Sequence, residues 1–202
     1  PFIAPEPYNA MYHPDEVPGF RRASTPEAEA ESHPYAAYML RHHLGREGLD
    51  PTTHPNDEPA MRQLRATYYG MMSEVDHNIG RMIASLKASD EYDNTMIVLT
   101  SDHGEQLWDH WMLGKEIHFD QSVQIPLIIR APGSFSKEGR GRVVEAFTEN
   151  IDVMPTILDI LGCEVPLQCD GRSLTSFLTG DEPDDWRKEV HWEIDFRDVL
   201  NG

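Results

Sequence analysis

Thr95-Met-Ile-Val-Leu-Thr-Ser-Asp-His-Gly-Glu105 is the stretch on which the reading of this chain turns. From Thr95 to Thr100 it is a short, continuous apolar run with branched side chains, the pattern of a strand buried on both faces. Asp102, His103 and Gly104 then stand where that strand ends. The backbone leaves its pleat there, so a carboxylate oxygen and an imidazole nitrogen can turn toward one cation. Gly104 lets the chain bend sharply with no Cβ in the way. The loop runs on through Trp108-Asp-His-Trp111 to Gly114-Lys115, which brings a positive charge for an anionic group near that cation. A cation with a lysine beside it suits a phosphate, phosphonate or sulfate, whose oxygens bridge the metal and accept hydrogen bonds. An Asp-His pair by itself reads as a loop cap and a surface histidine, because two ligands do not fill a coordination sphere. The strand before it, the glycine after it and the lysine on the same loop favour the functional reading. His110 and His118 are candidates for outer groups around the site.

Upstream, apolar residues from Met61 through Leu64, Tyr68, Met71, Val75, Ile79 and Met82 to Leu86 recur at intervals of three and four, which predicts a long helix. Asn56 and Asp57 can cap its start, and Pro59 is tolerated in its first turn. Glu74 and Asp76 face different directions on that helix and read as solvated polar residues. Downstream, Ile125-Pro-Leu-Ile-Ile-Arg130 is a second buried strand, entered at Pro126. Val143 to Phe147 reads as a sheet element, Ile151 to Leu161 as an amphipathic helix ended by Gly162, and Ser173 to Leu178 as a short helix. Asp181 to Asp185 reads as an acidic loop and Val190 to Ile194 as a last strand. Helix, strand, long loop, strand is the grammar of an open α/β sheet, in which chemistry collects at the carboxyl ends of strands. Residues 1–58 form a proline-rich, irregular arm of the same domain, with one short helix around Tyr35, Tyr38, Met39, His42 and His43, and 59–202 form the α/β part. The two adjacent histidines point to different faces and make a weak metal pair.

The chain of 202 residues carries a formal charge of −18, a field that repels phosphate backbones and anionic head groups, so neither nucleic acid nor a membrane surface is an expected partner. No apolar run is long enough for a membrane-crossing helix. Two cysteines, Cys163 and Cys169, argue against a disulfide-stapled scaffold and mildly for a reducing, cytoplasmic setting. The first residue is Pro1 and the last residues follow an apolar stretch, so a piece of a longer chain is expected.

Thr100-Ser-Asp-His-Gly-Glu105, Gly114-Lys115 and Phe119-Asp-Gln-Ser122 before Ile125 to Arg130 together resemble the sulfatase group of the alkaline phosphatase superfamily. Within it the chain is most similar to phosphonate monoester hydrolases and related phosphodiesterases. The resemblance extends to Pro1-Phe-Ile-Ala-Pro-Glu-Pro-Tyr8, to Asn150-Ile-Asp-Val-Met-Pro-Thr156, to Asp170-Gly-Arg-Ser-Leu174 and to Trp192-Glu-Ile-Asp-Phe-Arg197. It implies an α/β, partial alkaline-phosphatase-like sandwich with a mixed sheet flanked by helices. It also implies that Asp102 and His103 are ligands of one divalent metal and that Lys115 contacts the substrate, a small anionic ester. A histidine beside the aspartate is softer than the asparagine of many calcium-dependent sulfatases, which tilts the expectation to Mn2+ with Ca2+ open. The family's nucleophile is a formylglycine made within a C-x-P-x-R type motif. Neither Cys163 nor Cys169 stands in such a motif, so the nucleophile is expected in an amino-terminal half outside this chain, and these residues alone are expected to be inactive. An arylsulfatase is the nearest alternative, and a non-catalytic interaction module the alternative from another class. The two buried strands need neighbours, so the intact enzyme is expected to be a homo-oligomer or to lean on its other half.

Overall fold

The computed structural model describes residues 2–45, 57–115, 117–133, 135 and 139–193, with the side chains of 42–45 excepted. Within these, the chain forms α1 (Pro26–Ala30), α2 (Pro34–Gly45), α3 (Glu58–Ala88), β1 (Ile97–Thr100), α4 (Asp120–Val123), β2 (Leu127–Arg130), α5 (Val153–Ile160) and α6 (Thr175–Thr179). Two compact units result: residues 1–92 with 99–128, and residues 93–98 with 129–202.

The spine of the first unit is α3, the helix that the apolar spacing predicts. The Asp57 carboxylate accepts from the Ala60 N–H at 3.0 Å, Pro59 sits in the first turn, and Lys87 stands in the last turn where a cation suits the dipole. Asn56 lies outside the described residues. The arm is laid against this helix: Phe2 packs edge-on to Tyr68, Tyr12 packs edge-on to Tyr69, and the Tyr12 hydroxyl lies 2.7 Å from Ser73 Oγ. Gly70 permits that approach, because a Cβ there would lie 2.1 Å from the Tyr8 carbonyl oxygen. α2 forms where the sequence places a helix in the arm and buries Ala36, Met39 and Leu40; Met61 and Ala66 of α3 are buried, as are Trp108, Met112 and Ile117. His42 and His43 fall within α2, and their side chains lie outside what is described. Toward its carboxyl end, α3 keeps its apolar period, with Ile79, Ile83 and Leu86 half-buried and Met82 68% exposed. Glu74 is half-buried and Asp76 exposed.

β1 and β2 pair with each other in a two-stranded sheet. The expectation that both are buried on both faces is corrected: Leu99 is exposed and Ile128 is 60% exposed. Among the described residues each strand has one partner strand, and a strand only partly covered stays open there, however apolar its sequence.

In the second unit, a 3₁₀ turn at Asn150–Asp152 runs into α5, and Gly162 follows with φ of +69° as the helix stop. The fully buried Asp152 carboxylate accepts from both terminal nitrogens of Arg187, at 2.6 and 2.8 Å, and from the Arg172 N–H at 2.8 Å. Phe177 of α6 packs edge-on to Trp186. Two predicted strands are corrected. Val143 to Phe147 is irregular with Val143 and Phe147 exposed, and residues 190–193 are irregular as well, Ile194 lying outside the described residues. Branched apolar residues favour a strand only when another strand offers its ladder. Cys163 and Cys169 are free thiols.

Candidate functional site

β1 ends at Thr100, and Ser101 opens the loop whose side chains form the site. The Ser101 hydroxyl donates to the His103 carbonyl at 2.7 Å, and the His103 N–H donates to Asp102 Oδ1 at 3.0 Å, a tight turn that throws both side chains to the same side. His103 Nδ1 lies 2.8 Å from the Gly104 carbonyl, which can only accept, so Nδ1 carries the proton and Nε2 presents its lone pair. Asp102 Oδ2 lies 3.4 Å from that Nε2, with the aspartate side chain 84% exposed. Desolvation is the largest single influence and pushes the Asp102 carboxyl up, but backbone N–H bonds and the nearby His103 and Lys115 together outweigh it and hold it below the ordinary carboxylate value. Lys115 Nζ lies 2.5 Å from His103 Nε2. The three side chains singled out in the sequence therefore meet in one cluster within the first unit.

The loop between them is a folded-back finger. The Gln106 N–H donates to the Gly114 carbonyl at 2.9 Å and the Trp108 N–H to the Met112 carbonyl at 2.8 Å. Glu105 Oε1 accepts from the Gly114 N–H at 2.5 Å and from the Leu107 N–H at 3.3 Å. At the tip, Leu107, Trp108, His110 and Trp111 all take positive φ, from 49° to 71°, an unfavourable backbone for such residues that packing has to hold. The clamp is Asp109, which sequence reasoning missed. Its Oδ1 accepts from the Arg21 N–H at 2.9 Å and from Arg65 Nη2 at 2.8 Å, and its Oδ2 from Gln121 Nε2 at 3.0 Å. Arg65, buried in the amino-terminal third of α3, also donates to the carbonyls of Pro18, Gly19 and Leu107. The Trp111 indole donates to the Ala23 carbonyl at 2.9 Å. Gly104 is needed for contact as well as for the bend: a Cβ would lie 1.9 Å from the Gln121 carbonyl oxygen.

His110 and His118 occupy an aromatic cluster. His110 Nδ1 lies 2.8 Å from Glu29 Oε1 and its ring stacks on Phe119 at 3.6 Å, while His118 lies 5.1 Å from His33 and 4.9 Å from Phe119, centroid to centroid. Burial lowers the pKa of His118, and the neighbouring His33 and His110 lower it further. Of the loop serines, Ser101 is used on the His103 carbonyl, and the buried Ser122 accepts from Gln106 Nε2 at 2.6 Å.

Asp102 and His103 fit as adjacent ligands of one divalent cation: an exposed ionised carboxylate and an imidazole with its second nitrogen locked to a carbonyl stand at the spacing of neighbouring donors. Lys115 caps the nitrogen that a cation would take, so it has to swing away when one binds. Among the described residues no group of three or more His, Cys, Asp or Glu is arranged to hold a metal, which leaves the ligand set incomplete. Among the same residues, no helix is long and apolar enough to cross a membrane.

The family model described as Sulfatase matches residues 6–163. The multifunctional alkaline phosphatase superfamily protein PehA of Trinickia caryophylli is 46% identical over 206 residues, covering 99% of this chain and 39% of that protein. An arylsulfatase of Clostridium perfringens is 32% identical over 145 residues, covering 72% of this chain and 30% of its own length. Among solved structures, the phosphonate monoester hydrolase of Agrobacterium radiobacter superposes with a TM-score of 0.87 at 42% identity, covering 100% of this chain and 40% of that one. That of Silicibacter pomeroyi gives 0.81 at 44% identity, covering 92% and 36%. The chain thus spans about two fifths of the length of these relatives or less, and its fold is the α/β, alkaline-phosphatase-like one.

Proposed function

Because the chain belongs to the sulfatase family, we propose that it supplies one edge of the active site of an enzyme that hydrolyses phosphonate monoesters or phosphodiesters. Asp102 and His103 hold the divalent cation, and Lys115 meets the anionic group of the substrate. The observation that carries this reading is the convergence of the three side chains at the end of β1, Asp102 Oδ2 3.4 Å and Lys115 Nζ 2.5 Å from the same His103 nitrogen. The bound cation supplies charge stabilisation to the oxygens of the ester. The chain's own residues orient: Gly104 fixes the His103 tautomer, Ser101 fixes its backbone, and the Lys115 ammonium offsets charge that grows on a non-bridging oxygen. An oxygen and nitrogen donor pair favours Mn2+, with Ca2+ the alternative.

The nucleophile, a formylglycine by the family pattern, belongs to another part of the full-length protein, so residues 1–202 alone are inactive. Phosphonate and phosphodiester substrates rank above sulfate esters because the phosphonate monoester hydrolases match at 42–44% identity, against 32% for the arylsulfatase. The substrate is a small anionic ester in a cytoplasmic, homo-oligomeric enzyme; two free thiols and the open apolar strand faces support these last two points, and light scattering with cell fractionation checks them. The test of the function is the initial rate of the full-length protein, with Mn2+ and then Ca2+, on a phosphonate monoester, a phosphodiester and a sulfate monoester sharing one leaving group. Faster turnover of the first two is expected. Faster turnover of the sulfate makes it an arylsulfatase, and none at all makes it an interaction module.

A further inference from the structure

Lys115 reaches His103 across twelve residues of chain, and two neighbours of His103 decide whether it can. Gly114 lies just before Lys115, with φ of +94°, and both of its flanking peptides are pinned. The peptide after it is held through its carbonyl by the Gln106 N–H at 2.9 Å, an ordinary rung of the finger. The peptide before it is held only 2.5 Å from Glu105 Oε1, a charge-assisted bond from a side chain two residues past His103. The same oxygen takes the Leu107 N–H at 3.3 Å, so one carboxylate ties the two arms of the finger together. Glu105 is half-buried, and Tyr68 of α3 stands near enough that, after the effect of burial, the Glu105 charge raises its pKa.

We propose that Glu105 is a positioning residue for Lys115, its carboxylate clamping the Gly114 N–H so that the root of the lysine is fixed and its ammonium stays beside His103, resting on Nε2 while no cation occupies that nitrogen. The inference rests on the role of Lys115 given above, but the contact it explains can be read without any reaction. Glycine before the lysine leaves that stretch with the softest backbone in the loop. Without an acceptor on its N–H, the peptide is free to rotate, and a small rotation at Gly114 is multiplied along the four methylenes of Lys115. Glu105 touches neither the substrate nor the cation in this scheme.

The test uses the full-length protein stripped of metal with a chelator and acylated with acetic anhydride, with Lys115 followed by mass spectrometry against the exposed Lys87 as internal reference. Glu105→Gln keeps an oxygen acceptor and is expected to match wild type. Glu105→Met keeps the length and loses the acceptor, and should raise Lys115 labelling several-fold while Lys87 stays unchanged. Glu105→Asp, a methylene shorter, should give a smaller rise and replaces the Met variant if that one fails to fold. Unchanged labelling of Lys115 in the Met and Asp variants overturns the proposal. In the hydrolysis assay, Glu105→Met should lower kcat by about 10²-fold, the scale of a misplaced catalytic group, and should add nothing in a Lys115→Ala background. Losses that simply add would also overturn it. A wild-type protein that hydrolyses none of the three substrates would sink the proposed function and leave the labelling result standing, so the two failures are separable.

Discussion

Replacing Asp109 by alanine should unclamp the loop that carries the site. The Arg65 side chain is 5% exposed and that of Asp109 16%, so the pair is largely shielded from water. Truncating one member of a buried pair costs about 3–5 kcal/mol, because it strands the other charge. Three features set the value within that range. The variant loses acceptors for the Arg21 N–H and for Gln121 Nε2, each worth about 1 kcal/mol. Against this, Arg65 keeps the carbonyls of Pro18, Gly19 and Leu107. The two effects oppose each other, so the expected loss stays within that range, about 3–5 kcal/mol. Urea unfolding of the full-length protein measures it, with Asp185→Ala as the control. Asp185 pairs with Arg172 at 3.1 Å, with side chains 82% and 40% exposed, and should cost under about 1 kcal/mol. Replacing Arg65 by Met should cost less in the Asp109→Ala background than in wild type, the difference being about 2 kcal/mol. An Asp109→Ala loss no larger than that of Asp185→Ala would refute the reasoning.

Gly104→Ala has to move the Gln121 backbone, whose carbonyl oxygen would lie 1.9 Å from the new Cβ, and should cost about 3 kcal/mol by urea unfolding while displacing His103. Lys115→Ala in the full-length enzyme should lower kcat by about 10²–10³-fold, the scale for removing one donor to a developing anion, with a small change in KM. The pH dependence of stability should reveal His118. Burial first, then His33 and His110, depress its folded pKa, so the unfolded chain binds the extra proton. The stabilisation is present above the ordinary histidine value of about 6.5 and is lost as the pH falls from there toward the depressed value. His118→Gln should flatten that slope in unfolding curves taken between neutral and mildly acid pH, and an unchanged slope would count against the assignment.

The parts of this molecule legible in its sequence are those whose signals are local. The α3 period, its Asp57 cap and its first-turn proline sit next to one another along the chain, and so do Asp102, His103 and Gly104. Lys115 could be named because a single loop links it to them. Arg65 could not: a charge among apolar helix positions reads as a solvated face, and Asp109, which makes it a buried clamp, lies 44 residues away. Glu105 stands in the motif after Asp102 and His103, but its role is not legible there, since its partner is a backbone N–H that no side-chain pattern records. The errors share one cause. Val143 to Phe147 and the residues from Val190 have the composition of strands, but a ladder needs a partner, and composition does not supply one. The exposed faces of β1 and β2 teach the same lesson, since burial belongs to what packs on a strand.

The central claim, that Asp102 and His103 hold a divalent cation beside Lys115, is tested most directly by calorimetric titration of the full-length protein and its Asp102→Ala, His103→Ala double variant with Mn2+ and Ca2+. The account predicts stoichiometric binding in wild type, with Mn2+ the tighter, and its loss in the double variant. Equal binding by the two proteins would contradict it.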